Sequence, residues 1–127
     1  MQIRHINAPD APAPAGQYTH AVEVSEASCT VYLSGQVGVA MDGTIPEDAT
    51  AQARQVWKNI IAQLRAVGMT LDNVVKMVTI ITSLDHLAAS RVARGEAMGD
   101  RKPASTLIVA GLVNPALKIE IEVVAVA

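Results

Sequence analysis

Two carboxylates in residues 117–126 have a spacing that suits acid–base chemistry. The segment alternates like a β-strand, so Glu120 and Glu122 point to one face, about 7 Å apart at roughly 3.4 Å per residue. Burying carboxylates under another protein surface costs free energy unless they are solvated, paired with a cation or used to bind or react with a ligand. One of them could polarise a water molecule or accept a proton. The alternative is an exposed strand end with Lys118 as a salt-bridge neighbour.

A glycine interrupts an earlier strand pattern at Ser34-Gly35-Gln36. Glycine within a strand lets backbone groups approach a ligand closely, which makes Ser34 and Gly35 candidate binding residues. A bulge or turn is the alternative. The stretch lacks the Gly-Lys-Ser/Thr of a phosphate-binding loop.

The remaining candidates are single residues. Tyr18 and His20 follow a proline-containing loop, where an amphipathic ring often caps an interface. Ser105 and Thr106 follow Pro103 and Ala104, and they are equally consistent with a strand start. The only cysteine, Cys29, is expected to be a small buried side chain.

Composition excludes several classes of protein. The formal net charge is −2 and only three residues are aromatic, so the basic stripe with interleaved aromatics of a nucleic-acid binder is missing. No apolar run reaches the roughly 20 residues that span a bilayer. No Cys/His cluster indicates a structural zinc site. A single cysteine and the lack of a signal-peptide pattern favour the cytoplasm.

The elements that must position these residues follow from periodicity and turn residues over a single domain of 127 residues. Turns are predicted at 25–28 and at Asp42-Gly43. The first helix begins at Asp48 or Thr50 and ends at Gly68, and Ser83 caps the second. The predicted strands are 3–6, 19–24, 29–34, 74–82, 107–110 and 117–126, and the second helix is 84–98.

The strand at 74–82 is apolar on both faces, with Val75, Met77 and Ile81 on one and Val74 with two further apolar residues on the other. A sheet with one solvated face alternates apolar and polar residues instead. Because two helices cover only one face of a sheet, we expect a second copy of the chain to cover the other face. Long loops over that face are the alternative. The fold class is therefore α+β, a mixed sheet backed by two helices.

Six separated blocks, taken together, resemble the RidA/YjgF family from about residue 8 to the C-terminus. The blocks are GQYTHA at 16–21, SGQV at 34–37, AQARQ at 51–55, VVK at 74–76, KPAST at 102–106 and KIEIE at 118–122.

The resemblance implies a chorismate-mutase-like fold, a barrel-like homotrimer and three clefts at subunit boundaries. It also implies hydrolysis of reactive enamines and imines to keto acids and ammonia, without a metal or cofactor. In that scheme a glutamate at Glu120 positions the attacking water. Tyr18 and Gly35 line the pocket with Thr106 beside them, and an arginine binds the substrate carboxylate.

This chain departs from the deaminase subgroup at that arginine. The subgroup reads Pro-Ala-Arg-Ser/Thr, whereas here Ser105 follows Ala104 as if the arginine had been deleted. Gln17 and His20 also replace a usual proline and glutamine. We therefore expect weak activity on 2-aminoacrylate-type acids, with Ser105, Thr106, backbone N–H groups or His20 as the replacement anchor.

Two functions stay open from the sequence. One is hydrolysis of a C=N bond in a small metabolite, with Glu120 and Tyr18 as principal residues. The other is a non-catalytic binding or regulatory module that uses the same cleft. RNA cleavage or translation inhibition, attached to some family names, gains nothing from this composition.

Overall fold

The first helix, α1 (Ala49–Ala66), is fixed by its ends and by one apolar stripe in a computed structural model that describes residues 1–127. The Asp48 carboxylate accepts a hydrogen bond from the backbone N–H of Ala51, which caps the N-terminus. Gly68 follows the last turn at a φ of +74°, which favours glycine. Val56, Ile60 and Leu64 are buried at steps of four. The predicted helix is confirmed.

Four strands form one mixed sheet in the order β3-β6-β4-β5. The parallel pair β4–β5 is joined through the second helix, and β6 lies antiparallel between β3 and β4. The bounds are β1 (Gln2–Ile6), β2 (Ala21–Ser25), β3 (Thr30–Val37), β4 (Val74–Ile81), α2 (Leu87–Met98), β5 (Ala104–Val109) and β6 (Ile119–Val126).

The N-terminal strands β1 and β2 pair only with each other. Glu26, with a φ of 57°, lies in the connection to β3, and β2 does not join the larger sheet there. The loop before β2 instead meets the start of β5, through a bridge between Thr19 and Ala104. This contact carries the loop that contains Tyr18 to the edge strand.

Most predicted strand ends move by one to three residues, and β3 continues past Ser34 to Val37. Two further shifts bear on the site. Ser83 caps a short 3₁₀ turn, Leu84–His86, and the α-helix begins only at Leu87. Strand β5 begins at Ala104, three residues earlier than predicted, because its parallel ladder with β4 extends back to the pair of Lys76 with Ala104. Ser105 and Thr106 are therefore strand residues.

Both helices lie on one face of the sheet, and the hydrophobic core fills the space between the helices and the sheet. Met77, Ile81, Ile121 and Val123 are almost completely buried there. The Val74 side chain also joins this core, although alternation placed it on the other face, because the ladder shifts between Val74 and Lys76. No helix packs on the opposite face, which we call the open face.

Candidate functional site

A β-bulge places Gly35 directly under the side chain of Glu120. The β3–β6 register passes from Leu33 opposite Val123 to Gln36 opposite Ile121, which leaves two β3 residues, Ser34 and Gly35, facing one on β6. A Cβ at Gly35 would lie 2.7 Å from the carboxyl carbon of Glu120. Only glycine leaves the carboxylate this position.

The Glu120 carboxylate is half-buried on the open face, and none of the three ion pairs in the chain involves it. Lys118 does not pair with either glutamate, because its Nζ donates to the backbone carbonyl of Glu47. The alternative of a salt-bridged strand end is therefore wrong. A half-buried carboxylate without a cation remains able to bind water or accept a proton.

Gln52 on α1 fixes the start of the strand that carries Glu120. This buried side chain accepts a hydrogen bond of 2.5 Å from the N–H of Lys118 and donates to the carbonyls of Pro46 and Ala116. Asn59, two helical turns further along α1, donates to two backbone carbonyls around the end of β3. These two amides hold β3 and β6 on the helix, and Gln52, a residue of the AQARQ block, thereby supports the strand that carries Glu120.

Glu122 and Thr106 share the open face with Glu120. Register places Glu122 beside Val78 and Val78 beside Thr106, so two strand spacings, about 10 Å, separate the glutamate from the threonine. The Nζ of Lys76 donates to the Thr106 hydroxyl at 3.1 Å. Within one chain, Thr106 therefore lies beside a lysine and away from the Glu120 carboxylate.

Tyr18 and His20 form a separate cluster with the proline-containing loop. Their rings meet edge to face, with centroids 5.5 Å apart. The Tyr18 hydroxyl accepts from the N–H of Ala15, and Nε2 of His20 lies 2.8 Å from the carbonyl of Pro12, to which it donates. His20 is thus engaged in holding the loop.

Ser105 faces the helices, because its ladder partner Met77 lies in the core. Its hydroxyl accepts a hydrogen bond of 3.1 Å from Nη1 of Arg94 on α2, and Nη2 of the same arginine donates to the carbonyl of Gln17. Arg94 therefore joins α2, β5 and the Tyr18 loop. Sequence reasoning missed this residue, although the missing β5 arginine was a reason to examine the arginines of the neighbouring helix.

The predicted site residues fall into two groups. Glu120, Gly35 and Ser34 lie together on β3 and β6 at the open face. Tyr18, with its neighbour His20, and Ser105 lie near the start of the edge strand β5, while Thr106 stands apart beside Lys76. One chain alone does not bring the two groups together.

Cys29 is exposed, so the prediction of a buried thiol is wrong. It precedes β3, and its backbone pairs with Ala127 at the end of the sheet, where no layer covers the side chain. No group of three or more His, Cys, Asp or Glu side chains converges to hold a metal ion. Neither helix combines the length and apolarity required to cross a membrane.

The fold and site define a class: a two-layer α+β domain with a glycine-supported carboxylate on an uncovered sheet face. Solved structures match this fold over nearly the whole chain. A Rid family protein, YyfB of Yersinia pestis, has a TM-score of 0.83 at 32% identity and covers 100% of both chains. RidA of an Antarctic Psychrobacter has a TM-score of 0.73 at 31% identity and covers 98% of this chain and 99% of its own.

Sequence relatives agree. A family model described as Endoribonuclease L-PSP matches residues 8–127. A RutC family protein of Aquifex aeolicus is 31% identical, over 98% of this chain and 99% of its own. A 2-iminobutanoate/2-iminopropanoate deaminase of Dermatophagoides farinae is 35% identical, over 97% and 95%. The chain belongs to the RidA/YjgF family.

Proposed function

We propose that this protein hydrolyses the C=N bond of a small imine or enamine metabolite in clefts between the subunits of a homotrimer. Glu120 acts as the group that activates water. The observation that carries the proposal is the half-buried, unpaired Glu120 carboxylate held over Gly35. Similarity to a relative named as an iminobutanoate and iminopropanoate deaminase supports the substrate class.

Water is the only co-reactant that the reaction requires. Glu120 accepts a proton from water as the oxygen bonds to the imine carbon, and it passes that proton to the nitrogen as the C=N electron pair moves there, which gives a neutral carbinolamine. Glu120 then accepts the hydroxyl proton of the carbinolamine as the C=O bond forms and transfers it to the leaving nitrogen, which departs as ammonia. An imino acid and water thereby give a keto acid and ammonia, and the carboxylate is regenerated.

The edge strand supports the homotrimer. Leu107, Ile108 and Val109 on β5 are each more than two-fifths exposed, and a run of exposed apolar residues on an edge strand is a surface suited to pairing with another chain. Tyr32 on the open face is 78% exposed. A second copy that covers these residues would bring its own β3–β6 or β5 residues to the boundary and join the two groups of site residues.

A non-catalytic metabolite-binding trimer is the second candidate. It is favoured by the absence of an arginine at Ser105, since the deaminase subgroup uses that arginine for the substrate carboxylate. Ligand binding without ammonia release would be its signature.

The experiment is ammonia release from 2-iminobutanoate, generated in the assay by an amino-acid oxidase. Glu120→Gln, which keeps the shape of the side chain, is expected to lower kcat about 100-fold or more, the usual contribution of a general base. Glu122→Gln, on the same strand and face, is the matched control and should retain most activity. Equal rates for Glu120→Gln and the wild type would refute the proposed role of Glu120. Binding without release in the wild type would favour the second candidate.

A further inference from the structure

A second cleft, of about 440 Å³, opens between α2 and β5 on the helix side of the sheet, the side opposite Glu120. Arg91 and Arg94 line it from α2, three residues apart and hence neighbours on the helix surface. Two serines also line the cleft: Ser90, which is buried, and Ser105 on β5. The cleft thus combines two cations with hydroxyl groups.

Nothing in the chain neutralises these cations. The lining contains no carboxylate, and neither arginine takes part in an ion pair. Burial lowers the pKa of Arg94, because desolvation disfavours the charged guanidinium and its hydrogen-bond partners, Ser105 and Gln17, are neutral. Its Nε is buried without a hydrogen-bond partner, which adds to that uncompensated cost. A bound anion would offset it.

Arg94 keeps hydrogen-bond donors for an anion. Nη1 donates to the Ser105 hydroxyl and Nη2 to the Gln17 carbonyl, and each terminal nitrogen of a guanidinium carries two N–H groups. One donor therefore remains on each terminal nitrogen, and a carboxylate is the kind of acceptor that forms strong, charge-assisted hydrogen bonds with a guanidinium. A lysine would offer a point charge without such paired donors.

We infer that the cleft between α2 and β5 binds the carboxylate of a small organic acid through Arg94, with Arg91 beside it. The inference deepens the proposed function and rests on it for the rest of the ligand, an imino or oxo acid, and for the Glu120 carboxylate, which a neighbouring subunit supplies because Glu120 of the same chain lies on the opposite face of the sheet. It places the anchoring cation on α2, whereas the sequence had suggested hydroxyls or His20. Arg101 is not an alternative anchor, because it pairs with Asp72.

Calorimetric titration of the intact protein with pyruvate and 2-oxobutanoate tests the inference, with pyruvamide as the uncharged analogue and inorganic phosphate as the competing anion. The wild type should bind both acids and not the amide. Arg94→Met should weaken binding at least about 30-fold, the usual result of removing one partner from a buried charged pair. Arg65→Ala, on the exposed surface of α1, is the matched control and should bind like the wild type.

Gly95→Leu provides a second variant in case Arg94→Met disturbs the loop that Arg94 holds. A Cβ at Gly95 meets no atom within 4 Å, and leucine favours a helix more than glycine does. Because Gly95 lines the cleft, the larger side chain should fill it. We expect lost binding with an equal or higher Tm, which a general loss of structure would not produce.

Titration of Glu120→Gln separates this inference from the proposed function. If that variant binds 2-oxobutanoate while Arg94→Met does not, the carboxylate site stands whether or not the wild type releases ammonia. Three results would overturn the inference: no binding of either acid by the wild type, unchanged affinity in Arg94→Met with only a lower Tm, or phosphate binding as tight as that of the acids and equally dependent on Arg94.

Discussion

The helix-covered face and the open face of the four-stranded sheet are built from the same strands, but they have different roles. Along β6, the residues that face the helices, such as Ile121 and Val123, are at most 2% exposed. The residues that alternate with them along β6, Glu120, Glu122 and Val124, lie on the face that no helix covers. One eight-residue strand thus provides a core and a candidate site.

The alternation of a β-strand can therefore place the residues that stabilise the fold on one face and the residues that could take part in chemistry on the other. Substitution on the covered face removes packing that closely fitting neighbours cannot restore. We expect substitution on the open face to leave the fold of one chain intact and to change what that chain binds. The proposal requires the open face and the β5 edge to be completed by other copies.

The largest effect is expected from a charge on the exposed edge. Ile108, 45% exposed and next to Ile80 on the open face, becomes part of a subunit boundary in the proposed trimer. Ile108→Arg should abolish assembly, because a boundary that buries an unpaired guanidinium is strongly unfavourable. Light scattering should show a fall from about three times 13.3 kDa to one chain, with helical circular dichroism retained. A wild type that is already monomeric would contradict the boundary itself.

A paired substitution on β6 gives the next largest effect. Ile121→Ala should lower the free energy of unfolding by roughly 2–5 kcal/mol, because it leaves a cavity between sheet and helices. Glu122→Ala, one residue along on the open face, should change the unfolding free energy by no more than about 0.5 kcal/mol. Urea denaturation of both variants, compared at equal m-values, measures the contrast. Similar losses in the two would show that Glu122 contributes as much to stability as a core side chain, against the division of roles between the faces.

The smallest effect concerns an exposed ion pair that links the two helices of the covered layer. The Arg54 guanidinium donates hydrogen bonds to Glu96 and holds the pKa of that carboxyl below 4.5. A carboxyl whose pKa is lower in the folded state stabilises the fold at pH values above its pKa in the unfolded chain. That stabilisation is lost as the pH falls through the pKa of the folded state. Glu96→Gln should therefore lower Tm slightly at pH 7 and leave it unchanged at pH 2. An equal change at both pH values would rule out titration as the cause.

Local pattern predicted the elements well, because helix and strand periods are written into neighbouring residues. Asp48, Gly68 and the alternation around Glu120 act over a few residues, and each was confirmed. The position of Gly35 under Glu120 depends instead on the β3–β6 register, which a bulge sets across 85 residues of chain. Sequence alone suggested Gly35 as a bulge or a binding residue; the bulge is confirmed, and the binding role stays a prediction.

The features that sequence reasoning missed involve contacts between distant residues. Arg94 meets the Gln17 carbonyl 77 residues away, and nothing in the helical pattern of α2 indicates that loop. Cys29 was expected to be buried because its neighbours form a strand, but burial depends on which layer covers that end of the sheet. The separate β1–β2 pair likewise reflects docking against β5 that local turn residues do not encode.

Subunit mixing tests most directly the central claim that residues from two copies of the chain complete each site. Glu120→Gln and Arg94→Met are each expected to be inactive in ammonia release from 2-iminobutanoate. Each site in the proposed trimer takes Glu120 from one subunit and Arg94 from the next. In trimers reassembled from an equal mixture of the two variants, an intact Glu120 meets an intact Arg94 at one subunit boundary in four. Such trimers should therefore regain about a quarter of wild-type activity. Unmixed variants, refolded separately and then combined, are the control. Failure to regain activity in verified mixed trimers would contradict a shared site.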